Sequence, residues 1–476
     1  MSGRHATGHP LPGQPPENPL GVIVIGAGQA GLSAAGELVR RGAVVGEDLL
    51  VLDAEDGPGG AWRHRWESLT IGKAHRIADL PRFPTGDLDE SRPSSAVVPE
   101  YYGRYEADRE LHVLRPVRVT AVRSTDVPAD PLRMAADAPV HRRVTGEEEP
   151  HDAGADAGPV PPAPGTAVDS ASGAPGVRRD TLLLVEAETP EGPCAWWTRM
   201  VVSAAGTWRH PYVPHVPGIE TFAGRQLHTA TYRAAEDLAG RRVLVVGGGL
   251  SAVQMILEIA PFTASVAWAT RRPPNFTFTA FDEIWGAEVE AAVNARTAAG
   301  ARPVSVVRTT GIPMLPAYLD GVERGLLVSR GMFDLVRPDG VRFSPSATSQ
   351  DPAGLGPSAQ RGSGLVLPAS WRPYEQDTWV QADTIFWNTG FRAALAHLDP
   401  LRLRERADDA VPGGASRDGR SGRDSGIRTD GRTGVVRDPR VLLVGYGSSA
   451  STLGAARAGA EAARRAAKRL GIRRRR

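Results

Sequence analysis

Hydrophobic positions along the chain fall into short solid runs, each followed by spaced ones. Val22-Ile23-Val24-Ile25 is unbroken and strand-like. Leu32, Ala35 and Leu38-Val39 then recur at helical spacing, and Leu49-Leu50-Val51-Leu52 is a second solid run. The same order returns over Val243–Val246, then Val253, Ile256, Leu257 and Ile259-Ala260, then Val266–Ala269. Strand, helix, strand, written twice, predicts an α/β chain with two doubly wound parallel sheets. Val113–Ser124, Thr181–Glu188 and Ala195–Ser203 predict a small antiparallel β piece. Thr384–Trp387 and Val441–Val444 are late strands, the second leading into an Ala-rich helix from Ser449 to Leu470.

Polar stretches rich in Pro and Gly separate these elements. Residues 1–19 form a tail, and residues 126–178 contain no Phe, Trp or Tyr. Such a stretch buries too little apolar surface to offset the entropy of ordering it. Residues 345–364 and 406–434 are of the same kind, so all four are expected as loops or disordered insertions. The expected units are then 20–213 together with 378–476, and 214–377 inserted between them.

Composition narrows the class. Lys+Arg 56 against Asp+Glu 54 gives a net charge of +2, which argues against nucleic acid as a charge-driven partner. The basic end, Lys468-Arg469 and Arg473 to Arg476, reads as a helix C-terminus favoured by cations rather than as a membrane contact. The single cysteine, Cys194, excludes an internal disulfide, a CxxC redox pair and a multi-cysteine metal site, and no metal is expected. Met1 to Pro19 lacks the apolar centre of a signal peptide, and the apolar windows near Val22 and Val243 are too short for a membrane helix, so a cytoplasmic location is expected.

Chemistry enters through the glycines. Gly26-Ala27-Gly28-Gln29-Ala30-Gly31 lies between the first strand and its helix. Gly26 suits the tight turn, Gly28 close backbone approach to a pyrophosphate, and Gly31 close helix–strand packing, with the helix N-terminus facing the anion. Asp53 ends the next strand about 20 residues on, where an acid accepts hydrogen bonds from ribose hydroxyls. Gly59-Gly60-Ala61-Trp62 follows: close approach and then a flat ring suit a flavin edge, and Trp62 suits a core equally well.

The second cluster is Gly247-Gly248-Gly249-Leu250-Ser251-Ala252, with Ala252 in the third small position. Its following strand ends in Arg271-Arg272 instead of an acid. A guanidinium there favours a 2′-phosphate over a free 2′-hydroxyl, by about 1.5–3 kcal/mol for one charge-assisted contact. Either arginine can fill that role. An acid-ended site followed by an arginine-ended one suits FAD and then NADPH, in two Rossmann-like dinucleotide-binding domains.

Between the two clusters runs Phe222-Ala223-Gly224-Arg225-Gln226-Leu227-His228-Thr229-Ala230-Thr231-Tyr232. Here the chain resembles the class B flavoprotein monooxygenases, whose fingerprint FxGxxxHxxxY is matched at Phe222, Gly224, His228 and Tyr232. The terminal Tyr is similar to the N- or S-oxygenating branch, whereas the Baeyer–Villiger branch usually ends in Trp. Ser203-Ala204-Ala205-Gly206-Thr207 and Asn388-Thr389-Gly390-Phe391 resemble the family's two ATG-type linkers, and Val444-Gly445-Tyr446-Gly447-Ser448 precedes the last helix as in the family. Ala205 and Asn388 depart from the usual Thr and Ala. The loop Leu69-Thr70-Ile71-Gly72-Lys73-Ala74-His75 lacks the asparagine that flavin-containing monooxygenases place near the flavin, leaving Lys73 or His75 as substitute donors or as solvated loop residues.

The resemblance implies that NADPH reduces FAD, that dioxygen is activated as a flavin hydroperoxide, and that a small organic substrate is oxygenated at N, S or a ketone. The alternative is an FAD-dependent NADPH oxidoreductase or oxidase without substrate oxygenation. No catalytic side chain is assigned, since the chemistry is the cofactor's. His228 is read either as a coupler of the two sites or as a turn histidine, and Tyr101, Tyr102 and Tyr105 as a core stripe in preference to a substrate wall. Pro273–Phe281 and Ile312–Asp320 are the expected pocket-lining segments.

Overall fold

The computed structural model describes residues 15–74, 77–128, 181–277, 291, 293–303, 311–350, 364–405, 426–447 and 452–473. The expected insertion 126–178 lies almost wholly outside them, as does most of the tail.

Two parallel sheets form the frame. In the first, β1 (Leu20–Ile25) lies between β2 (Leu49–Leu52) and the long β5 (Gly192–Ser203), all parallel. The antiparallel piece expected from sequence is β3 (Arg118–Pro128), β4 (Thr181–Thr189) and the first half of β5. The second half of β5 joins the parallel sheet, between β1 and β16 (Val441–Leu443). The second sheet is built from β6 (Arg225–His228), β7 (Arg242–Val246), β8 (Ser265–Ala269) and β15 (Thr384–Trp387), also parallel.

Both sheets are covered on both faces, which explains why their central strands read as solid apolar runs. In β1, Val22 and Val24 face the helices α1 (Gln29–Arg41), α2 (Ser94–Asp108) and α5 (Thr452–Leu470). Leu20, Ile23 and Ile25 face Leu183, Val185 and Trp196 of the antiparallel piece. In β7, Val243 and Val245 face α3 (Leu250–Ile259) and α4 (Pro316–Glu323). Leu244 and Val246 face a second antiparallel sheet of β11 (Phe333–Arg337), β12 (Gly340–Phe343) and β14 (Thr378–Gln381), which the sequence reading did not foresee. The remaining strands, β9 (Phe276–Thr277), β10 (Ile312–Pro313) and β13 (Gly364–Leu365), form a small fourth sheet.

β14 and β15, placed by the sequence in the unit 20–213 with 378–476, pair with β12 and with β6 and β7. A solid strand can complete either sheet, and only its neighbours decide which. Residues 426–434 were expected to be loose; instead Ile427, Thr429 and Thr433 are buried, and the Gly426 N–H donates to the Gly300 carbonyl. Their one apolar side chain, Ile427, is buried. The tyrosine stripe is core as expected: Tyr101, Tyr102 and Tyr105 are buried under α1.

Buried polar groups tie the layers together. Arg440 and Asp438 form a fully buried pair, and Arg440 also donates to Thr181 and Ser124, fixing the antiparallel piece to β16. His397 is buried beside Ser203, with Nε2 3.0 Å from its Oγ, and burial pushes its pKa down to about 4. The unfolded chain therefore takes up a proton, near the usual histidine pKa, that the folded chain refuses. This stabilising contribution is complete above about pH 6.5 and is lost as pH falls toward 4. Thermal melts across that window should show His397→Asn losing less stability than the parent chain; parallel pH profiles would contradict this.

Candidate functional site

The first glycine turn shows which of its positions serve the fold and which face open space. Gly26 takes φ +101°. A Cβ on Gly31 would overlap the Gly26 carbonyl, so glycine is required there by packing alone. A Cβ on Gly28 would meet nothing within 4 Å. Gly28 is the N-cap of α1, with no side-chain cap and no acid in the first turn. The Leu32 N–H reaches the Gly28 carbonyl, which leaves the N–H groups of Gln29, Ala30 and Gly31 without intrahelical partners. The Gln29 side chain is not part of this opening: its Nε2 donates to the Ala78 carbonyl and its Oε1 accepts from Tyr102, clamping α1 to α2.

Asp53 stands at the end of β2 as expected, largely buried. Burial raises its pKa, and Arg115, 3.3 Å from Oδ2, opposes that shift. Arg115 itself donates two 2.7 Å bonds to the Glu106 carboxylate. A carboxylate has about four lone-pair sites, so Asp53 retains acceptor capacity beyond Arg115. Gly60 packs onto the turn, its Cβ direction 3.1 Å from the Gly28 Cα, and brings Ala61 and Trp62 alongside.

The second turn repeats the logic. Gly247 takes φ +139° against the Asn388 carbonyl, and Gly249 is the uncapped start of α3, which carries Leu250, Ser251 and the buried Ala252. The Trp268 Nε1 donates to the Gly247 carbonyl at 2.7 Å, a buried brace with no local sequence signal. The two arginines diverge. Arg271 is exposed and its side chain has no bond among the described residues, whereas Arg272 is half-buried and engaged.

The fingerprint residues are structural and lie between the two turns. Phe222 is buried, and Gly224 lies against the Asp383 carbonyl, where a Cβ would not fit. His228 Nδ1 accepts the Ala230 N–H at 3.1 Å, so Nε2 carries the proton and donates to the Gly390 carbonyl at 3.1 Å. Desolvation lowers its pKa, opposed by the Gly390 bond, and the ring stays neutral. It thereby bonds the second ATG-type segment, whose Asn388 amide oxygen accepts from Thr229. The two linkers run antiparallel, with Pro211 bridged to Phe391.

Sequence reading missed the groups that hold the units together. Glu258 Oε1 on α3 accepts from Tyr232 and from Ser68 of the first unit, each at 2.6 Å. Trp66 and Leu69 of the first unit sit in the core of the second, Trp66 edge-on to Tyr232 at 5.7 Å. Glu55 binds His64 at 2.9 Å and Arg209 at 2.7 Å. Burial works to raise its pKa, but these bonds outweigh it and hold the carboxyl below its ordinary range. Lys73 Nζ donates to the Ser68 carbonyl, and His75 lies outside the described residues. The Asn275 amide is buried with neither polar atom bonded.

The architecture carries two Rossmann-like glycine turns, each opening an uncapped helix. Residues 24–77 match the NAD(P)-binding Rossmann-like domain and residues 188–290 the pyridine nucleotide-disulphide oxidoreductase model. The chain is 28% identical over 252 residues to the indole-3-pyruvate monooxygenase YUCCA1 of Oryza sativa subsp. japonica, covering 53% of this chain and 48% of that one. It is 28% identical over 241 residues to a Baeyer-Villiger monooxygenase of Streptomyces coelicolor, covering 44% and 42%. It therefore spans about half the length of the curated relatives it matches. A solved flavin-containing monooxygenase from Stenotrophomonas maltophilia superposes with TM-score 0.60 at 27% identity, over 94% of this chain and 98% of that one. These matches bear out the resemblance to flavoprotein monooxygenases.

Trp66→Ala should cost about 3–5 kcal/mol, because it empties a core shared by both units. Denaturant unfolding would measure this, and a change under about 1 kcal/mol would show that the units hold without it.

Proposed function

We propose that the chain is an FAD- and NADPH-dependent monooxygenase acting on a small organic substrate with dioxygen. The observation that carries this reading is the pair of uncapped helix starts, at Gly28 and Gly249, in one molecule whose relatives are flavin-dependent monooxygenases. When bound, NADPH supplies a hydride and FAD the capacity to store it and activate dioxygen.

The chain's own residues bind and orient. The free N–H groups after Gly28 face the FAD pyrophosphate, with Gly26 and Gly31 shaping the turn, and Asp53 accepts from the ribose. Gly60, Ala61 and Trp62 would hold the flavin end. Gly247, Gly249, Leu250, Ser251 and Ala252 receive NADPH, and Arg271, the arginine with an unengaged side chain, holds the 2′-phosphate; Arg272 supports the strand end. His228, neutral, fixes the linkers and moves no proton. The orphan amide of Asn275 supports Pro273–Phe281 as a substrate-facing segment. A cytoplasmic location belongs to the same proposal, supported by the single cysteine.

One observation favours the second reading, an NADPH oxidase without oxygenation: the loop after Trp62 offers no asparagine, and Lys73 is committed to Ser68. Product yield per NADPH consumed separates the two. Oxygenated product in near-stoichiometric amount is expected, whereas hydrogen peroxide matching all NADPH consumed would establish the oxidase. Gly28→Val should fold with an unchanged melting temperature yet purify without the yellow flavin spectrum, since its side chain meets only the space reserved for ligand. Normal flavin content in that variant would refute the site. Arg271→Ala should cut the NADPH-over-NADH preference about tenfold to hundredfold in kcat/KM, with Arg272→Ala having less effect.

A further inference from the structure

A cavity of about 370 Å³ opens beside the linkers, lined by His64, Arg118, Trp208, Arg209, Ala230 and Arg233 together with Pro211. No carboxylate is among its lining residues. Arg209 is paired with Glu55 behind it. Arg233 donates to two backbone carbonyls, those of His64 and Tyr232, and neither neutralises it. Arg118 is exposed, and its side chain has no ion pair or hydrogen bond among the described residues. One wall is the Trp208 ring, and the Arg65 guanidinium lies 4.0 Å from its centroid. Arg65 is desolvated, its pKa drawn down to about 10, and its Nε has no partner. Three positive groups therefore surround the edge of Trp208, whose ring is already stacked by Phe391 at 4.8 Å and covered by Arg65, and a single carboxylate offsets them.

We propose that this cavity is a binding site for a small organic anion, a flat molecule bearing a carboxylate. Trp208, Pro211 and Ala230 take its apolar body, while Arg118 and Arg233 take its charge. The site is a groove open to solvent, and its volume lies at the lower end of small-molecule sites, enough for a small organic acid. Resting on the monooxygenase reading, this names the substrate class: acids rather than neutral or cationic molecules. The cavity stands where His64, the first linker and the end of the fingerprint meet Arg118 at the start of β3.

Equilibrium titration of the purified full chain with phenylacetate and with its neutral isostere phenylacetamide, followed by tryptophan fluorescence, tests the proposal. Phenylacetate should bind about tenfold more tightly or better, and the advantage should shrink as salt is added. Arg118→Ala and Arg233→Ala should each remove most of that advantage, while Arg225→Ala, an exposed arginine outside the cavity, should leave it intact. Equal affinities for acid and amide, or an advantage insensitive to both cavity variants, would overturn the proposal. No turnover is involved, so a colourless, inactive protein that still prefers the acid would defeat the monooxygenase reading and leave this site standing.

Discussion

The loop from Gly59 to Lys73 meets opposite requirements at its two ends, and the arrangement of the two units follows from that. At one end Gly60 sits against Gly28, an approach that only glycine backbones permit at such distance. At the other, Trp66 and Leu69 are buried in the core of the second unit. The loop cannot move away from the first turn without withdrawing a tryptophan from the second unit's interior. Glu258 reinforces the same junction from α3, taking hydrogen bonds from both units on one oxygen. Burial of an indole contributes kilocalories, whereas each hydrogen bond contributes about one, so the tryptophan holds the units and the carboxylate sets their register.

Charge near the junction is distributed unevenly. Asp53, Arg115 and Glu106 form a chain of charges around the end of β2, and Arg440 with Asp438 forms a pair under β16. Both are largely buried and internally paired, with acceptor capacity left over on Asp53. Arg65, Arg118 and Arg233 lack such partners, and they lie around the same junction. Of the three only Arg65 is desolvated, and a buried positive charge without a counter-charge is costly to keep; Arg118 and Arg233 are exposed.

Much of the frame was legible before any coordinates. The runs Val22–Ile25 and Val243–Val246 are strands, the spaced residues after them are helices, and the glycine turns fall where their spacing places them. The tyrosine stripe is core. The Gln29 side chain, by contrast, is a clamp holding α1 to α2, so that only its backbone N–H remains at the turn. Arg271 and Arg272 are adjacent and chemically identical, and only the folded chain separates a free guanidinium from an engaged one.

Hydrophobic period and glycine conformation act over a few residues, so the order of strands and helices and the shape of both turns are written in the sequence itself. Which sheet Thr384–Trp387 completes, that Ile427 is buried, and that Ser68 meets Glu258 are settled by segments more than a hundred residues apart coming together. No local pattern encodes such meetings, because a buried partner is a property of the packed surface and not of the residue that faces it.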